Sequence, residues 1–266
     1  MTATIEDVQK YWDARPCNIR HGRAAVGSRQ YFNEVENRKY FVESHIPKFA
    51  QFDRWKGKRV LEVGCGLGTD TINFARAGAH VTAVDLSTES LNLCAKRVTE
   101  FDLEHRVTLR QANCEELSRV IDNEDDPFDL IYSFGVIHHT PKPARAIEEL
   151  AKFAGPDTEL KLMLYAKYSI KSLQMWLGKF TTCEAQAGVP VAYTYTKRGI
   201  RKLLSPHFKL VKARKDHIFP WSIPEYIKHE YKFALPWRWT PRPFFRMLER
   251  MFGWHYLIDA KPKEEK

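Results

Sequence analysis

The sequence predicts an α/β fold, a doubly wound and mostly parallel sheet with helices on both faces. Three observations predict it. Short apolar runs alternate with helical runs between residues 59 and 165, the order that lays parallel strands under helices. Glycines cluster where the first apolar run must turn into a helix, and glycine permits backbone conformations closed to other residues. The 266 residues, 44% of them hydrophobic, suffice for one packed core with additions and do not require two domains.

Residues 4–52 read as helical, with Asp7, Val8, Tyr11 and Trp12 at helical spacing and Pro16 as an interruption. Strands are expected at 59–63, 80–84, 107–111, 128–133 and 159–165, and helices at about 69–77, 88–101 and 143–153, with Gly78 at a helix end. A helix at 197–204, capped by Thr196, leads to a strand at 207–213, and WHYLIDA at 254–260 supplies a last strand. The division that follows is an N-terminal helical cap (1–52), a ligand-binding core (53–165), a lid insertion (166–195), and the end of the sheet (196–266) with an aromatic and basic insertion at 214–253. Both insertions follow parallel strands, whose carboxyl ends form the ligand-binding edge, so both are expected to hang over the site. In the second, Phe244, Leu248, Met251 and Phe252 form an apolar stripe beside Arg242, Arg246 and Arg250, with Thr240 as cap and Pro241 in the first turn. The stripe is expected to pack into the core; the other reading is a basic helix lying on an anionic membrane.

The run VLEVGCGLGTD carries the functional signal. Glu62, Gly64, Gly66 and Gly68 spell E-x-G-x-G-x-G, and Asp85 ends the next strand. A carboxylate at that strand tip is placed to accept the hydroxyls of a ribose. A dinucleotide site wants G-x-G-x-x-G, which brings a pyrophosphate onto a helix N-terminus. Here the third glycine comes one residue early, and Glu62 would repel a pyrophosphate while suiting a cationic amine. S-adenosylmethionine has that amine, a ribose and no phosphate.

On these residues the chain resembles the class I S-adenosylmethionine-dependent methyltransferases, nearest in pattern to the small-molecule subset of ubiquinone and menaquinone biosynthesis. The resemblance is specific over residues 59–165. It implies a Rossmann-like methyltransferase fold with seven strands, the last antiparallel. It also implies a cofactor site of Glu62, Gly64, Cys65, Gly66 and Gly68, with Asp85 and Leu86 after the second strand. VTLRQANCEEL would bring Asn113 and the backbone of Cys114 to the adenine, and FDLIYSFGVIHHTPKP would bring Ser133 and Phe134 to the methionyl part. The loop after that strand would face the methyl acceptor.

Methyl transfer from a sulfonium is an in-line displacement that needs a base only where the acceptor holds a proton. His138 and His139 are the catalytic candidates; otherwise one caps the Pro141 turn and the other packs. Some ubiquinone-pathway enzymes hold a divalent metal with acids after this strand. Gly135, Val136 and Ile137 stand there instead, so no metal is expected. Tyr11, His21, Tyr31, Tyr193, Tyr195 and His217 lie in the expected cap and lids and are candidates for the acceptor pocket.

Net charge is +9, unevenly spread: residues 51–160 carry 13 basic and 19 acidic side chains, and residues 161–266 carry 21 and 8. The basic part admits an anionic partner. The reading is therefore a methyltransferase for a small acceptor, anionic or aromatic, modified at O, S or N. An RNA methyltransferase and an enzyme of lipid-like acceptors at the membrane surface are the alternatives. No [D/N/S]-P-P-[Y/F] run follows the fourth strand and no RNA-binding module is evident, so nucleic acid is not the expected partner. Cys17, Cys65, Cys94, Cys114 and Cys183 are odd in number and scattered, as in a reducing compartment. With no apolar stretch of about eighteen residues and no signal-like N-terminus, a cytoplasmic protein is expected.

Overall fold

The computed structural model describes residues 3–122, 126–177 and 188–263. Residues 178–187 of the first lid, including Cys183, lie outside the described residues. Helices α1 (Ile5–Ala14), α2 (Arg29–Val42) and α3 (Ile46–Ala50) precede the sheet. Thr4 closes a reciprocal capping box with Asp7 at the start of α1, and Ser28 caps α2, so each helix begins where a short oxygen-bearing side chain satisfies free N–H groups.

The sheet then alternates as expected: β1 (Arg59–Val63), α4 (Thr69–Arg76), β2 (His80–Asp85), α5 (Thr88–Glu100), β3 (Val107–Gln111), β4 (Phe128–Phe134), α6 (Pro143–Ala151) and β5 (Ala154–Ala166). Helix α7 (Ile170–Trp176), β6 (Thr194–Tyr195), α8 (Lys197–Leu204) and β7 (Phe208–Asp216) follow. Two one-turn helices, α9 (Ile223–Ile227) and α10 (Leu235–Arg238), then α11 (Arg242–Phe252) and β8 (His255–Pro262) complete the chain. The strand order is β3-β2-β1-β4-β5-β8-β7, with the two-residue β6 beside β5 as an eighth, unforeseen strand. Strands β1 to β5 pair in parallel, and β8 runs antiparallel between β5 and β7. Apolar side chains fill both faces of the central strands: Leu61, Ile131 and Leu162 join one core cluster, and Val60, Leu130 and Met163 the other. That two-sided burial is what their continuous apolar runs encode.

Two expectations about the second insertion fail. Thr240 does not cap α11; its hydroxyl donates to the Pro236 carbonyl at 2.8 Å, closing the turn behind α10, and Pro241 takes the N-cap position. Nor does the apolar stripe join the core. Phe244, Met251 and Phe252 are 50%, 52% and 41% exposed. The side of α11 that packs is the one bearing buried Glu249, half-buried Leu248, and Phe245, which meets Trp237 edge-on. Amphipathic spacing identified a helix with one apolar face, but not which face the sheet would cover. Among the described residues no helix is long and apolar enough to cross a membrane.

The insertion is anchored to the N-terminal helices. Arg38 of α2, nearly buried, donates to the Tyr226 carbonyl at 2.7 Å and lies over that tyrosine's ring, while Phe41 stacks on Trp221. Chain ends far apart in sequence thus meet above the sheet.

Candidate functional site

At the carboxyl edge of β1 the chain turns through Gly64, Gly66 and Gly68, all with positive φ. Two of these differ instructively. A Cβ on Gly64 would lie 2.0 Å from Val136 Cγ2, so that glycine admits another part of the chain; a Cβ on Gly66 would meet nothing within 4 Å. Gly66 is where the loop backbone faces open space.

The loop spends its N–H groups internally. Gly64 and Cys65 both donate to the Val84 carbonyl, Gly68 donates to the Cys65 carbonyl, and Gly66 donates to Asp85 Oδ2 at 2.8 Å. Asp85 Oδ1 accepts from the Ser87 N–H at 2.9 Å. Burial pushes the Asp85 carboxyl up, against the pull of these N–H donors. A loop whose donors are already engaged is not an anion cradle. It offers shape and, through Asp85, further acceptor lone pairs.

Glu62 is 3% exposed and accepts from the Thr71 hydroxyl at 2.5 Å. Its carboxyl is pushed up to about 8 by burial and by the neighbouring charge of Asp70. Asp70 itself, 2% exposed, accepts from Lys39 Nζ, Tyr40 and Tyr132, each at 2.9 Å. This buried network under the loop was missed in the sequence. Asp70 reads there as an ordinary acid in a helix first turn, and nothing local announces Lys39 or Tyr132 as partners.

On the far side of the loop, Leu86 and Asn113 are half-buried; Asn113 Oδ1 accepts from the Glu115 N–H at 3.0 Å, and Cys114 is buried, its thiol pushed up to about 12 by desolvation. Ser133 is turned away, donating to the Val63 carbonyl at 2.9 Å, so its hydroxyl fastens β4 to β1. Phe134 stands at the strand end with its ring 5.9 Å from His45 and 5.7 Å from His255.

The two candidate histidines are both buried, on a short turn at Ile137–His139. His138 lies against the ring of Tyr165 at 3.7 Å between centroids; the Met163 backbone approaches its ring, but neither ring nitrogen reaches full hydrogen-bond geometry. Desolvation holds it well below the usual imidazole range. His139 donates from Nδ1 to the Val191 carbonyl at 2.7 Å and meets Trp12 edge-on; burial pulls it down to about 4. Neither caps the Pro141 turn. That turn is held by Glu115, which accepts from the Thr140 hydroxyl and from the Lys142 N–H at 2.7 Å.

The proposed pocket residues divide. His217 lies at the carboxyl edge, its ring 4.7 Å from His255 and 5.3 Å from His45. Tyr193 donates its N–H to the His138 carbonyl at 2.9 Å. Tyr11 borders an open cleft of about 580 Å³ with Asp7, Lys10, Gly188 and Pro190, and no residue of the glycine loop lines it. Tyr31 is no pocket residue: fully buried, it donates to the Ile19 carbonyl and packs with Phe32 and Leu93. Tyr195 packs against the core under β5, and His21 bonds Tyr226 at 3.2 Å. Spacing within a helical cap could not tell its inner face from its outer one.

Glu43, His45 and His255 were not foreseen. They approach from the end of α2, the start of α3 and the first residue of β8. With 210 positions between the two histidines, no spacing pattern links them.

Residues 60–157 match the family model described as a methyltransferase domain. Among curated proteins, the ubiquinone biosynthesis O-methyltransferase of Alkalilimnicola ehrlichii is 35% identical over 101 residues, 38% of this chain and 39% of that one; its counterpart in Aromatoleum aromaticum is 35% identical over 38% and 41%. The chain thus spans about two fifths of the length of the curated relatives it matches. Over whole chains the likeness is structural. Magnesium protoporphyrin IX methyltransferase from Synechocystis PCC 6803 is 19% identical with a TM-score of 0.60 over 95% of this chain and 97% of that one. Geranyl diphosphate C-methyltransferase from Streptomyces coelicolor A3(2) is 15% identical with a TM-score of 0.63 over 97% and 98%. A [4+2]-cyclase, SpnF, shares the fold as well, at 16% identity and a TM-score of 0.61 over 98% and 97%, so the architecture does not by itself choose the reaction. Residues 60–157 are thus similar to the methyltransferase-domain family, and over its whole length the chain shares the fold of these solved structures.

Proposed function

We propose that the chain transfers a methyl group from S-adenosylmethionine to a small acceptor at the carboxyl edge of its sheet. The carrying observation is a glycine loop with engaged N–H groups, open above Gly66, between the carboxylates Glu62 and Asp85. A phosphate would meet Asp85 and few donors; a ribose meets acceptors, and an ammonium group arriving near Glu62 would favour the ionised form that burial and Asp70 disfavour. In this reading Asp85 accepts from the ribose hydroxyls, Leu86, Asn113 and the Cys114 backbone border the adenine, and Phe134 borders the methionyl end. Alignment of acceptor and S–CH3 bond supplies ~7–11 kcal/mol of the barrier. His138, neutral and with neither ring nitrogen in a full hydrogen bond, takes or orients the acceptor proton. The test is calorimetry. Asp85→Ala is expected to weaken S-adenosylmethionine binding by roughly 1.5–3 kcal/mol, and unchanged affinity would refute the reading.

Aromatic rings favour a planar acceptor: Trp12 and Tyr165 pack on His139, Trp254 stacks on Tyr165, and Phe134 meets His255 edge-on. Free thiols at all four described cysteines support a cytoplasmic location.

A second reading, contact with anionic membrane, is favoured by the exposed stripe. Trp239 (82%), Leu235 (79%) and Trp176 (81%) extend the apolar surface of α11, and Arg238, Arg242 and Arg250 are exposed along it. Lys215 Nζ bonds the carbonyls of both Tyr168 and Met251, so the α7 and α11 regions adjoin. Apolar wedges with arginines between them match an anionic bilayer interface. Co-sedimentation with phosphatidylglycerol vesicles is expected, falling about fivefold or more in Trp239→Ala/Phe244→Ala; equal recovery with neutral vesicles would count against it.

A further inference from the structure

Three side chains that the methyl-transfer reading leaves unused converge beside Phe134. His45 Nε2 and His255 Nδ1 are 3.0 Å apart, Glu43 Oε1 is 3.7 Å from His255 Nδ1, and the three donor atoms all lie within 4.8 Å of one another. Both imidazoles are 5% exposed, and Glu43 about a fifth exposed at the side chain. Two donors each bound at about 2.1 Å to one first-row ion stand about 3.0 Å apart at a right angle and about 3.6 Å apart at 120°. The two separations at His255 Nδ1, 3.0 and 3.7 Å, fall on that scale. A hydrogen bond between the two rings accounts for the 3.0 Å distance but gives no reason for the carboxylate to join them.

Asp216 stands behind His45, its Oδ1 4.0 Å from Nδ1, on the opposite ring nitrogen from the one facing His255. It accepts the His217 N–H at 2.9 Å, which fixes its direction. A carboxylate behind the outer nitrogen is the arrangement that orients a metal-bound imidazole.

We infer that Glu43, His45 and His255 form a binding site for one divalent first-row transition ion, with Asp216 as the outer group that orients His45. Two imidazoles and one carboxylate suit manganese, iron, cobalt or zinc; magnesium and calcium prefer oxygen donors throughout. Three protein donors leave coordination positions for a ligand, and Phe134, 5.7 Å from His255, lies beside them. The ion's use rests on the methyl-transfer reading: it would hold an acceptor heteroatom as its anion beside the sulfonium.

The experiment titrates chelator-treated full-length protein with Co²⁺, followed by visible ligand-field absorption, and with Zn²⁺ by calorimetry. Equimolar binding is expected for the native protein. Glu43→Gln, His45→Gln and His255→Gln should each weaken it more than about tenfold, and Asp216→Asn by about 10–100-fold. His80→Gln, at an exposed histidine on the opposite edge, should leave it unchanged. Circular dichroism and S-adenosylmethionine affinity are measured on the same preparations, so a folding failure is separated from a lost ligand. No equimolar binding, or binding that survives Glu43→Gln and His255→Gln in folded protein, overturns the site and leaves a bare histidine pair. Metal binding retained without any S-adenosylmethionine binding would refute the methyl-transfer reading and leave the metal site standing.

Discussion

The floor and the roof of the site are built from different kinds of sequence. The floor, from Glu62 to Asp85 with Asn113 beyond, comes from the tips of β1, β2 and β3, the first two each followed within a few residues by its helix. The roof joins Trp12, His45, His138, Tyr165, His217 and His255, drawn from both halves of the chain. The floor holds its shape by short-range bonds of loop backbone to backbone and to Asp85 and Asn113 close by in the chain; the roof holds its shape by side chains packed on side chains. The comparison teaches that the glycine-loop side of the site is a product of local turns, while the histidine side is a product of tertiary assembly.

The sharpest way to break that contrast is at His138. If the roof residue acts chemically, His138→Phe should lower kcat by roughly 10²–10⁴ on a phenol or alcohol. Removing two nitrogens that lack full hydrogen bonds from a buried place should leave stability within about 1 kcal/mol. Unfolding curves and single-turnover rates from one preparation decide it, and an unchanged rate would make the histidine a packing residue. On a thiol acceptor the loss should be far smaller, because thiols already supply some thiolate near neutral pH.

Next in size is a floor test. Gly64→Ala places a methyl group against Val136 at a backbone φ of +82° and should cost about 2–4 kcal/mol of stability. Gly66→Ala, at φ +54° with nothing near its Cβ, should cost about 1 kcal/mol and lower donor affinity instead. Urea midpoints and calorimetry for the pair separate a packing glycine from a ligand-facing one.

A third test uses pH. The folded-state pKa of His139 is lowered to about 4 from an unfolded value of 6.5 by burial. The neutral ring therefore contributes stability that is full above pH 6.5 and is lost as pH falls toward 4, by at most about 3 kcal/mol. His139→Gln should flatten the stability profile between pH 6.5 and 4. A profile as steep as the native one would assign the acid sensitivity to other buried groups.

The smallest effect is expected at the surface. Phe244→Ser on the exposed stripe should change the unfolding free energy by less than about 0.5 kcal/mol, since the residue is 50% exposed. A loss above about 1 kcal/mol would mean that α11 is held by its outer face as well.

Most strands and the glycine loop were legible because their signals are local: periodicity, caps and a run of eleven residues. Strand β5 begins at Ala154, five residues before the apolar run suggests, because Gly155, Pro156 and Asp157 carry no strand signal; the backbone of Ala154 nevertheless pairs with Phe128. Glu62 and Asp85 could be read because each ends a strand. His45 and His255 could not, since nothing near either one marks it. The stripe on α11 was read as a stripe and given the wrong neighbour, which follows from amphipathicity having a direction on the helix and none in space.

Strand β8 lies between β5 and β7, yet follows both in the chain. On a ribosome β7 would emerge before β8, the one strand that pairs with it among the described residues, and would have to wait until β8 arrived. The glycine loop, made of earlier and neighbouring segments, can take shape while synthesis is still under way. His255 joins the site only when that final antiparallel strand is threaded in, a pairing between distant segments of the slow kind. Birth order therefore separates the two sides of the site in time: a nascent chain acquires the glycine loop first and the histidine cluster last.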